Sequence, residues 1–424
     1  MKVLVLCDMF PPAFAPRMGY LCKYMARAGW EPVVVTEFIE GDETFDFLTG
    51  HVPVHYVRYY RTRSGGAGRR IEWLLLFLAD FLFGYKDRRI FRAASRLLDE
   101  GGFGGILCST YRTFPLPAAR RLAGRYRLPF VADLRDIIEQ YPSHEYIAHP
   151  PNTFPWLDRQ IIRLFRRKLL RGRNRALGRA GCITTVSPWH VEMMKAYNPS
   201  VELIYNGYDP ELFYPVRPAK PTPQFRLVYT GRLLSLRVRN PEWIFQAINS
   251  LSGTGVITPT EFRAQWYTDP ASAECIRSFA GRYSVTGYMD YFGYVPANAI
   301  PGILNESSVL LQLANRSGEK GPRGIMSTKL FEAFAVEKPL LLAPSDESFL
   351  EEVICLSQAG KAARNAAEVC DFLHRYFDMW KARGYTTVEP RREVTESFSR
   401  SGQAGQFMNI LTRLHGKTPP HHSS

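Results

Sequence analysis

The first 36 residues, MKVLVLCDMFPPAFAPRMGYLCKYMARAGWEPVVVT, contain the pattern that decides the fold. Val3–Cys7 is a continuous apolar run, which is typical of a strand buried in a parallel sheet. A helix fits Arg17–Ala28 and ends at Gly29, and Val33–Thr36 is the next strand. This order of strand, helix and strand predicts the start of a doubly wound α/β domain.

The alternation continues along the chain. Further strands are predicted at 105–109, 129–132 and 182–186, and helices at 116–125 and 187–197. A second series of strands and helices begins with a strand at 226–230, after the proline-rich stretch PVRPAKPTP at 215–223. It continues with a strand at 263–267, a short segment at 291–295, strands at 309–313 and 339–343 and a helix at 327–335. The sequence therefore predicts two α/β domains, residues 1–214 and 215–399, followed by a segment 400–424 that contains one more helix.

The composition excludes several classes of protein. Of the 424 residues, 46% are hydrophobic and 22% are charged, which argues against a disordered or collagen-like chain. The seven cysteines include no C-x-x-C pair, so neither a disulfide framework nor a zinc site is predicted. The N-terminus has no signal-peptide pattern and no window is long and apolar enough to span a bilayer, so we expect a cytoplasmic protein.

The positive charge is concentrated in one part of the chain. The net charge is +14, and residues 51–200 alone contain 26 basic and 11 acidic side chains, a balance of +15. Such a patch predicts a partner that is a nucleic acid, anionic lipid or a phosphorylated substrate. Within it, the apolar segment 71–85 with basic flanks fits either a core helix or one that lies in a membrane interface. The arginine-rich segment 159–179 fits a solvated helix face or the binding of one of those anions.

Residues able to bind a phosphorylated sugar occur in the second series. The strand at 227–230 ends in Gly231–Arg232, with Arg237 five residues on, and a helix starts at Ser327–Lys329 with Glu332 in its first turns. Backbone N–H groups at a helix start and nearby guanidinium groups bind phosphate oxygens. A carboxylate can accept hydrogen bonds from two adjacent sugar hydroxyls. Together they predict a pocket for a sugar diphosphate at the carboxyl ends of the strands.

The order of these motifs resembles that of the retaining GT-B glycosyltransferases of family four. DLRD at 133–136, NGYD at 206–209, the TGR at 230–232 and TKLFE at 328–332 carry the resemblance, which covers essentially the whole chain. The branch it resembles most builds bacterial surface polysaccharides. The resemblance implies two Rossmann-like domains that face each other across a cleft, with the helix in 400–424 crossing back to the first domain.

The resemblance also implies roles for individual residues. Arg232 and Arg237 would stabilise the donor diphosphate as catalytic groups, together with Asp136. Other donor-binding residues would be Gly19, Tyr294, Val295, Ser327, Thr328, Lys329 and Glu332. The acceptor side would include Arg112, Asp133, Asp136 and His144. The nucleotide-sugar, UDP- or GDP-linked, is then a substrate, and neither a cofactor nor a metal is expected.

The expected activity is transfer of a sugar, with retention, to a glycan or a polyprenyl-diphosphate-linked acceptor in polysaccharide biosynthesis. Residues 51–200 offer a membrane contact, which would place the protein on the inner face of the membrane; nucleic acid is the less favoured partner. Two alternatives stay open: a nucleotide-sugar epimerase or hydrolase with the same fold, and a non-catalytic basic protein that binds lipid or nucleic acid. The donor sugar also stays open, because Gly324 stands where many members of the family have a glutamate.

Overall fold

The structure is a computed structural model that describes residues 1–41, 43, 45–61, 67–141, 155–233, 236, 239–314 and 326–416. The chain divides into two units. The first consists of residues 1–205 and the segment from 403 onward, and the second of residues 206–402. The predicted linker at 215–223 lies within the second unit.

A seven-stranded parallel sheet forms the centre of the first unit. Its strands are β1 (Lys2–Cys7), β2 (Glu31–Glu37), β3 (Val54–Val57), β4 (Phe103–Thr110), β5 (Phe130–Leu134), β6 (Cys182–Thr185) and β7 (Val201–Leu203). Their spatial order is β3-β2-β1-β4-β5-β6-β7, so the direction of winding reverses between β1 and β4. At such a reversal the carboxyl ends of the strands leave a crevice in which ligands bind.

Helices connect these strands. They are α1 (Pro16–Arg27), α2 (Ala67–Phe83), α3 (Tyr85–Asp99), α4 (Leu116–Tyr126), α5 (Pro155–Leu177) and α6 (Pro188–Met194). Ser187 caps α6 as predicted, because its side chain accepts a hydrogen bond from the N–H of His190. The apolar run of β1 is fully buried, and the removal of these side chains from water stabilises the sheet.

The apolar segment predicted as one helix over 71–85 ends earlier than expected. The helix α2 stops at Phe83, and α3 starts at Tyr85. Gly84 between them has a φ of +61°, a left-handed conformation that glycine adopts without steric cost and that ends the first helix. The chain thus turns at Gly84 into a second, basic helix that the sequence did not indicate.

The second unit contains a six-stranded parallel sheet. Its strands are β8 (Phe225–Thr230), β9 (Phe262–Tyr267), β10 (Met289–Phe292), β11 (Val309–Gln312), β12 (Leu340–Leu342) and β13 (Gly360–Ala362), in the order β10-β9-β8-β11-β12-β13. The helices are α7 (Glu242–Gly253), α8 (Pro270–Gly281), α9 (Ile300–Asn305), α10 (Thr328–Ala335), α11 (Phe349–Ser357), α12 (Ala366–Arg383) and α13 (Arg392–Glu396). The winding reverses between β8 and β11, so the carboxyl end of β8 is the expected ligand position.

Aromatic side chains fill much of the core of the second unit. Phe225 on β8 stacks on Phe262 of β9, with ring centroids 5.1 Å apart, and packs edge-on against Phe377 of α12. Trp266 is nearly fully buried, and its indole N–H points to the sulfur of Met289, 3.2 Å away. This packing fixes β8, β9 and β10 relative to one another and so positions the residues that follow them.

One more helix, α14 (Arg400–His415), returns to the first unit from Gln403 onward. Leu411 is fully buried beside Gly105 of β4, and Leu414 lies against Gly181. Within the described ranges, no helix combines the length and the apolar character needed to cross a bilayer.

Candidate active site

The carboxyl end of β8 brings a glycine, an arginine and a lysine together. Gly231 has a φ of +128°, and a Cβ atom at this position would overlap the Nζ of Lys329. Only glycine therefore allows the lysine, which comes from the first turn of α10, to lie directly against the strand end. Arg232 follows immediately and its side chain is exposed.

Arg232 is held in place by the strand end on the far side of β9. Its Nε donates a hydrogen bond to the hydroxyl of Tyr294 over 2.6 Å, and Tyr294 follows β10. Asp269, which follows β9, caps α8 by accepting from the N–H of Ser272 at 3.0 Å. The hydrogen bonds from Ser272 lower the pKa of Asp269, with a smaller contribution from Arg232. The structure thus brings the predicted residues Arg232 and Tyr294 together, with Val295 next along the chain.

The first turn of α10 contains an unsatisfied hydroxyl. Ser327 occupies the N-cap position, but its side chain makes no capping hydrogen bond. Its Oγ is buried, and no hydrogen-bond partner for it exists among the described residues. Thr328 beside it is half-buried. Because buried hydroxyls are nearly always hydrogen-bonded in native proteins, this atom is a candidate hydrogen-bond donor for a ligand.

Lys329 and Glu332 both have perturbed ionisation. Burial lowers the pKa of Lys329, and the nearby charge of Arg239 lowers it further, while Glu332 opposes both effects. Burial raises the pKa of Glu332 to about 7, against the opposing charges of Lys329 and Arg400. Above that pH the carboxyl is ionised and both of its oxygens can accept hydrogen bonds from sugar hydroxyls, whereas below it one oxygen becomes a donor.

Arg239 is a functional candidate that the sequence reasoning missed. Its guanidinium group donates a hydrogen bond to the backbone carbonyl of Arg232, and it lies close enough to Lys329 to perturb it. The signal was present, because Arg239 lies two residues after Arg237 in the same basic loop. Arg232, Arg239 and Lys329 form a concentration of positive charge that suits a diphosphate.

In the first unit, acidic and basic groups meet at the carboxyl ends of β1, β4 and β5. Asp8 follows β1 and forms an ion pair with Arg135, and it also accepts from the hydroxyl of Thr110 at 3.1 Å. The guanidinium carbon of Arg135 lies 5.5 Å from the ring centroid of Tyr111. Asp8 and Arg135 are functional candidates that the sequence analysis missed. Asp8 directly follows the first predicted strand, and Arg135 belongs to the DLRD motif at 133–136.

Asp136, predicted on the acceptor side, belongs to a chain of hydrogen bonds. The side-chain amide of Gln140 donates to Asp136 Oδ1 at 2.8 Å, and its carbonyl lies 2.9 Å from Nε2 of His190. Burial raises the pKa of Asp136, although the hydrogen bond from Gln140 opposes this. Burial lowers the pKa of His190 to about 4, so the imidazole is neutral at physiological pH. A carboxylate with a raised pKa and a fixed orientation is suited to hold an acceptor hydroxyl.

Two predicted contacts are corrected by the structure. Asp133 is fully buried, and its carboxylate is occupied by Arg17, at 3.0 Å, and by the hydroxyls of Ser109 and Thr184. Burial by itself would raise its pKa, but these partners lower it overall, so Asp133 stabilises the fold and does not line the acceptor side.

Gly19, predicted to approach the donor, is buried inside α1. A Cβ there would lie 2.6 Å from Pro11 Cγ and 3.0 Å from Leu48 Cδ1. The glycine is required for the close packing of α1 against the preceding loop, and no surface is left for a ligand. The residues Arg237, His144 and Gly324 lie outside the described residues.

A cavity of about 400 Å³ opens beside the Asp8 cluster, at the reversal point of the first sheet. Arg112, predicted on the acceptor side, lines it, and the Nε of Arg112 is buried without a hydrogen-bond partner among the described residues. Much of the remaining wall is aromatic: Tyr60, Trp73, Phe77, Phe81, Tyr111, Phe114 and Phe165. Charged residues complete it: Asp8, Glu37, Asp80, Lys86, Asp87 and Lys168. This mixture suits an amphipathic ligand.

A larger cavity, of about 640 Å³, is formed by the proline-rich linker in the second unit. It is lined by Arg226, at the amino end of β8, and by residues of the loops at 336–338 and 385–387. It therefore lies at the opposite edge of the sheet from Arg232. Ligands of parallel sheets bind at the carboxyl edge, so we do not assign a function to this cavity.

Comparison with known proteins connects this arrangement to glycosyl transfer. Residues 17–212 match the family model described as Glycosyltransferase Family 4. No curated protein matches the sequence.

Solved structures of similar fold cover nearly the whole chain. The sucrose-phosphate synthase of Thermosynechococcus elongatus has a TM-score of 0.60 at 15% identity and covers 98% of this chain and 100% of its own. Anabaena HepE in complex with UDP and glucose has a TM-score of 0.61 at 14% identity and covers 97% and 100%. The UDP-GlcNAc 2-epimerase of Methanocaldococcus jannaschii has a TM-score of 0.55 at 8% identity and covers 97% and 100%.

Identities this low establish the fold alone, which is the GT-B type with two Rossmann-like domains, as predicted. The family match and this fold together support a glycosyltransferase.

Proposed function

We propose that this protein is a retaining glycosyltransferase that moves a sugar from a UDP- or GDP-linked donor to a glycan or a polyprenyl-diphosphate-linked acceptor in bacterial polysaccharide biosynthesis. The observation that carries the proposal is the cluster at the carboxyl end of β8, where an unsatisfied buried hydroxyl of Ser327 accompanies Lys329, Arg232 and Arg239. That cluster offers hydrogen-bond donors and positive charge at one place. The family match and the UDP bound by Anabaena HepE support a nucleotide-sugar as the ligand.

The donor would be held by groups that suit its chemistry. Lys329, Ser327 and the first N–H groups of α10 bind the phosphate oxygens, since these N–H groups have no partner within the helix. Arg232, with Arg237 as a further candidate, neutralises the negative charge that develops on the leaving diphosphate. Glu332 accepts hydrogen bonds from ribose hydroxyls, and Tyr294–Val295 contact the base.

In the transfer step, the bond between the anomeric carbon and the diphosphate oxygen breaks as the acceptor oxygen bonds to the same carbon from the same face. The acceptor's hydroxyl proton passes to the departing diphosphate, so the step needs no protein nucleophile. Electrostatic stabilisation of the leaving group is then the main contribution of the protein. We propose that guanidinium and ammonium groups supply it and that no metal ion is required.

The acceptor would bind in the first unit. Asp136 orients its hydroxyl, and Arg112 in the cavity of about 400 Å³ binds an anionic or polar part of it. The aromatic wall of that cavity supports an acceptor that also has an apolar part, as a lipid-linked glycan does. The positive balance of residues 51–200 supports work at a membrane surface.

Calorimetric titration tests the donor site. We expect the wild-type protein to bind UDP or GDP, and Arg232→Gln to bind it about ten- to hundredfold more weakly because a charge-assisted hydrogen bond is lost. Arg282→Gln, an exposed arginine on the same unit, is the matched control and should leave the affinity unchanged. Equal affinity in wild type and Arg232→Gln would refute this assignment.

Incubation with UDP- and GDP-sugars in the absence of acceptor tests the reaction class. A transferase should show only slow hydrolysis, with the released sugar retaining its anomeric configuration. Steady epimerisation without acceptor would favour the alternative that shares this fold, and steep salt-dependent binding to DNA with no nucleotide affinity would favour a non-catalytic basic protein.

A further inference from the structure

The outer face of α2 carries an apolar stripe that the protein leaves exposed. Between 45% and 63% of each side chain in this stripe is exposed. The leucine stripe, as we call it, consists of Ile71, Leu74, Leu75, Leu78 and Leu82. At about 100° per residue these five positions fall within an arc of about 100° on the helix, so they form one continuous surface.

The opposite face of α2 is already packed. Leu76 is buried in the core, and Phe77 stacks on Phe165 of α5 with ring centroids 5.1 Å apart. The acidic residues of the helix lie off the stripe and are engaged, since Glu72 accepts from the N–H of Arg61 and Asp80 from that of Lys86. The folding of the unit therefore does not need the leucine stripe, and the exposed apolar surface calls for another partner.

Helix α5, which packs beside α2 through Phe165, carries a stripe of the complementary kind. An exposed arginine stands at every fourth position: Arg159, Arg163, Arg167, Arg171 and Arg175. Within the described ranges, none of these five has an ion-pair partner. Lys168 links the two helices, because its ammonium group lies 4.2 Å from the ring centroid of Phe81 on α2. The five arginines, at positions 159, 163, 167, 171 and 175, are called the arginine stripe below.

We propose that the leucine stripe and the arginine stripe together dock the first unit onto a bilayer that contains anionic lipid. Leucine side chains on one helix enter the boundary between headgroups and acyl chains, and arginines on the neighbouring helix pair with lipid phosphates. Charge complementarity favours an anionic bilayer over a second copy of the chain, because a second copy would place its own arginine stripe against this one and the two would repel each other.

The same helix connects this surface to the acceptor cavity. Trp73, Phe77 and Phe81 on the inner side of α2 line the cavity of about 400 Å³, while the leucine stripe lies on the outer side. Docking therefore brings the wall of the cavity to the bilayer surface, where a lipid-linked acceptor would be found. Only this last step rests on the proposed function, and the docking itself does not.

Vesicle sedimentation tests the proposal on the full chain. We expect binding to vesicles of phosphatidylcholine with phosphatidylglycerol, little binding to phosphatidylcholine alone, and a steep loss of binding as salt rises. Leu75→Ser with Leu78→Ser should weaken binding about tenfold or more, because two apolar side chains no longer enter the bilayer. The matched control, Val216→Ser with Leu356→Ser, replaces exposed apolar residues of the second unit and should bind as the wild type does.

The arginine stripe has its own control. Arg163→Gln with Arg167→Gln and Arg171→Gln should weaken binding to anionic vesicles roughly hundredfold at low salt, from about 1 kcal/mol per arginine. The triple variant Arg282→Gln, Arg375→Gln and Arg383→Gln removes the same charge from exposed positions of the second unit and should not.

Several results would overturn the proposal. Among them are wild-type binding that does not depend on anionic lipid, and a leucine variant that binds like its control. A third is a wild-type protein that forms a dimer and does not bind vesicles, together with a leucine variant that is a monomer. That result would show that the leucine stripe binds a second copy of the chain. Nucleotide affinity, measured on the same variants, should stay at the wild-type value and reports separately on the donor site and on folding.

Discussion

The unsatisfied hydroxyl of Ser327 makes an unusual prediction about the variant Ser327→Ala. A buried hydroxyl without a partner costs about 1–3 kcal/mol relative to a satisfied one. The usual loss of about 1 kcal/mol for removing a serine N-cap does not apply, because the side chain makes no capping hydrogen bond here. We therefore expect Ser327→Ala to be as stable as the wild type or more stable in urea unfolding.

Donor binding should respond in the opposite direction. If the hydroxyl donates to a phosphate oxygen, its loss removes a hydrogen bond to a charged group, worth about 1.5–3 kcal/mol. In calorimetric titration, the dissociation constant of Ser327→Ala for UDP or GDP should be about ten- to hundredfold higher than that of the wild type.

The control is Ser357→Ala, a fully buried serine of the same unit whose Oγ donates to the carbonyl of Ile354 at 3.0 Å. This variant should lose about 1 kcal/mol of stability and bind nucleotide normally. The reasoning is refuted if Ser327→Ala loses stability and keeps its affinity, which is the pattern expected of Ser357→Ala.

Three further predictions concern titration, burial and metals. Burial raises the pKa of Glu332 from 4.5 to about 7, so the folded state binds a proton that the unfolded state releases, and stability should fall as pH rises through this window. Glu332→Gln should remove that fall, and identical pH–stability curves would contradict the assignment. Asp133→Asn removes the carboxylate that faces the buried Arg17 and should lower the free energy of unfolding in urea by about 3 kcal/mol. Asp136→Asn should unfold like the wild type but slow the transfer reaction. The opposite pattern would mean that Asp136 is the structural residue and Asp133 the functional one. Treatment with EDTA should leave transfer unchanged, and a loss that added Mg²⁺ restores would show that a metal takes part.

Strong local patterns made the scaffold predictable. The apolar runs of β1, β8 and β9 and the loops after them indicated parallel sheets, and parallel sheets place functional residues at the carboxyl ends of the strands. Arg232 follows from this reasoning, whereas Tyr294 is implied only by the family resemblance; the hydrogen bond that joins them across β9 is consistent with the predicted strand positions. Short edge strands such as β3, at Val54–Val57, were missed because only four residues, half of them exposed, carry no clear pattern.

Contacts between residues far apart in the sequence determine which of the predicted site residues are structural. Asp133 and Asp136 stand in one motif, yet the partner that makes Asp133 structural, Arg17, is more than a hundred residues away in sequence. The resemblance implies a donor contact for Gly19, but the neighbour that this glycine approaches is Pro11 of its own unit. The exposure of the leucine stripe likewise depends on which face of α2 finds a partner, and periodicity alone does not tell this for a helix that is apolar on both faces.

The return of α14 to the first unit has a consequence for the order of folding during synthesis. Leu411 completes the packing behind Gly105, and the side chain of His415 lies 3.0 Å from the carbonyl of Gly104, so β4 acquires these neighbours only when residues some three hundred positions later have left the ribosome. The intervening unit can fold as soon as its own residues emerge, because its sheet is built from a continuous segment. Until α14 has emerged, the surface of the first unit that α14 covers beside Gly105 and Gly181 stays exposed. A truncation within α14 would leave this surface uncovered in the finished protein and should therefore lower the yield of folded protein.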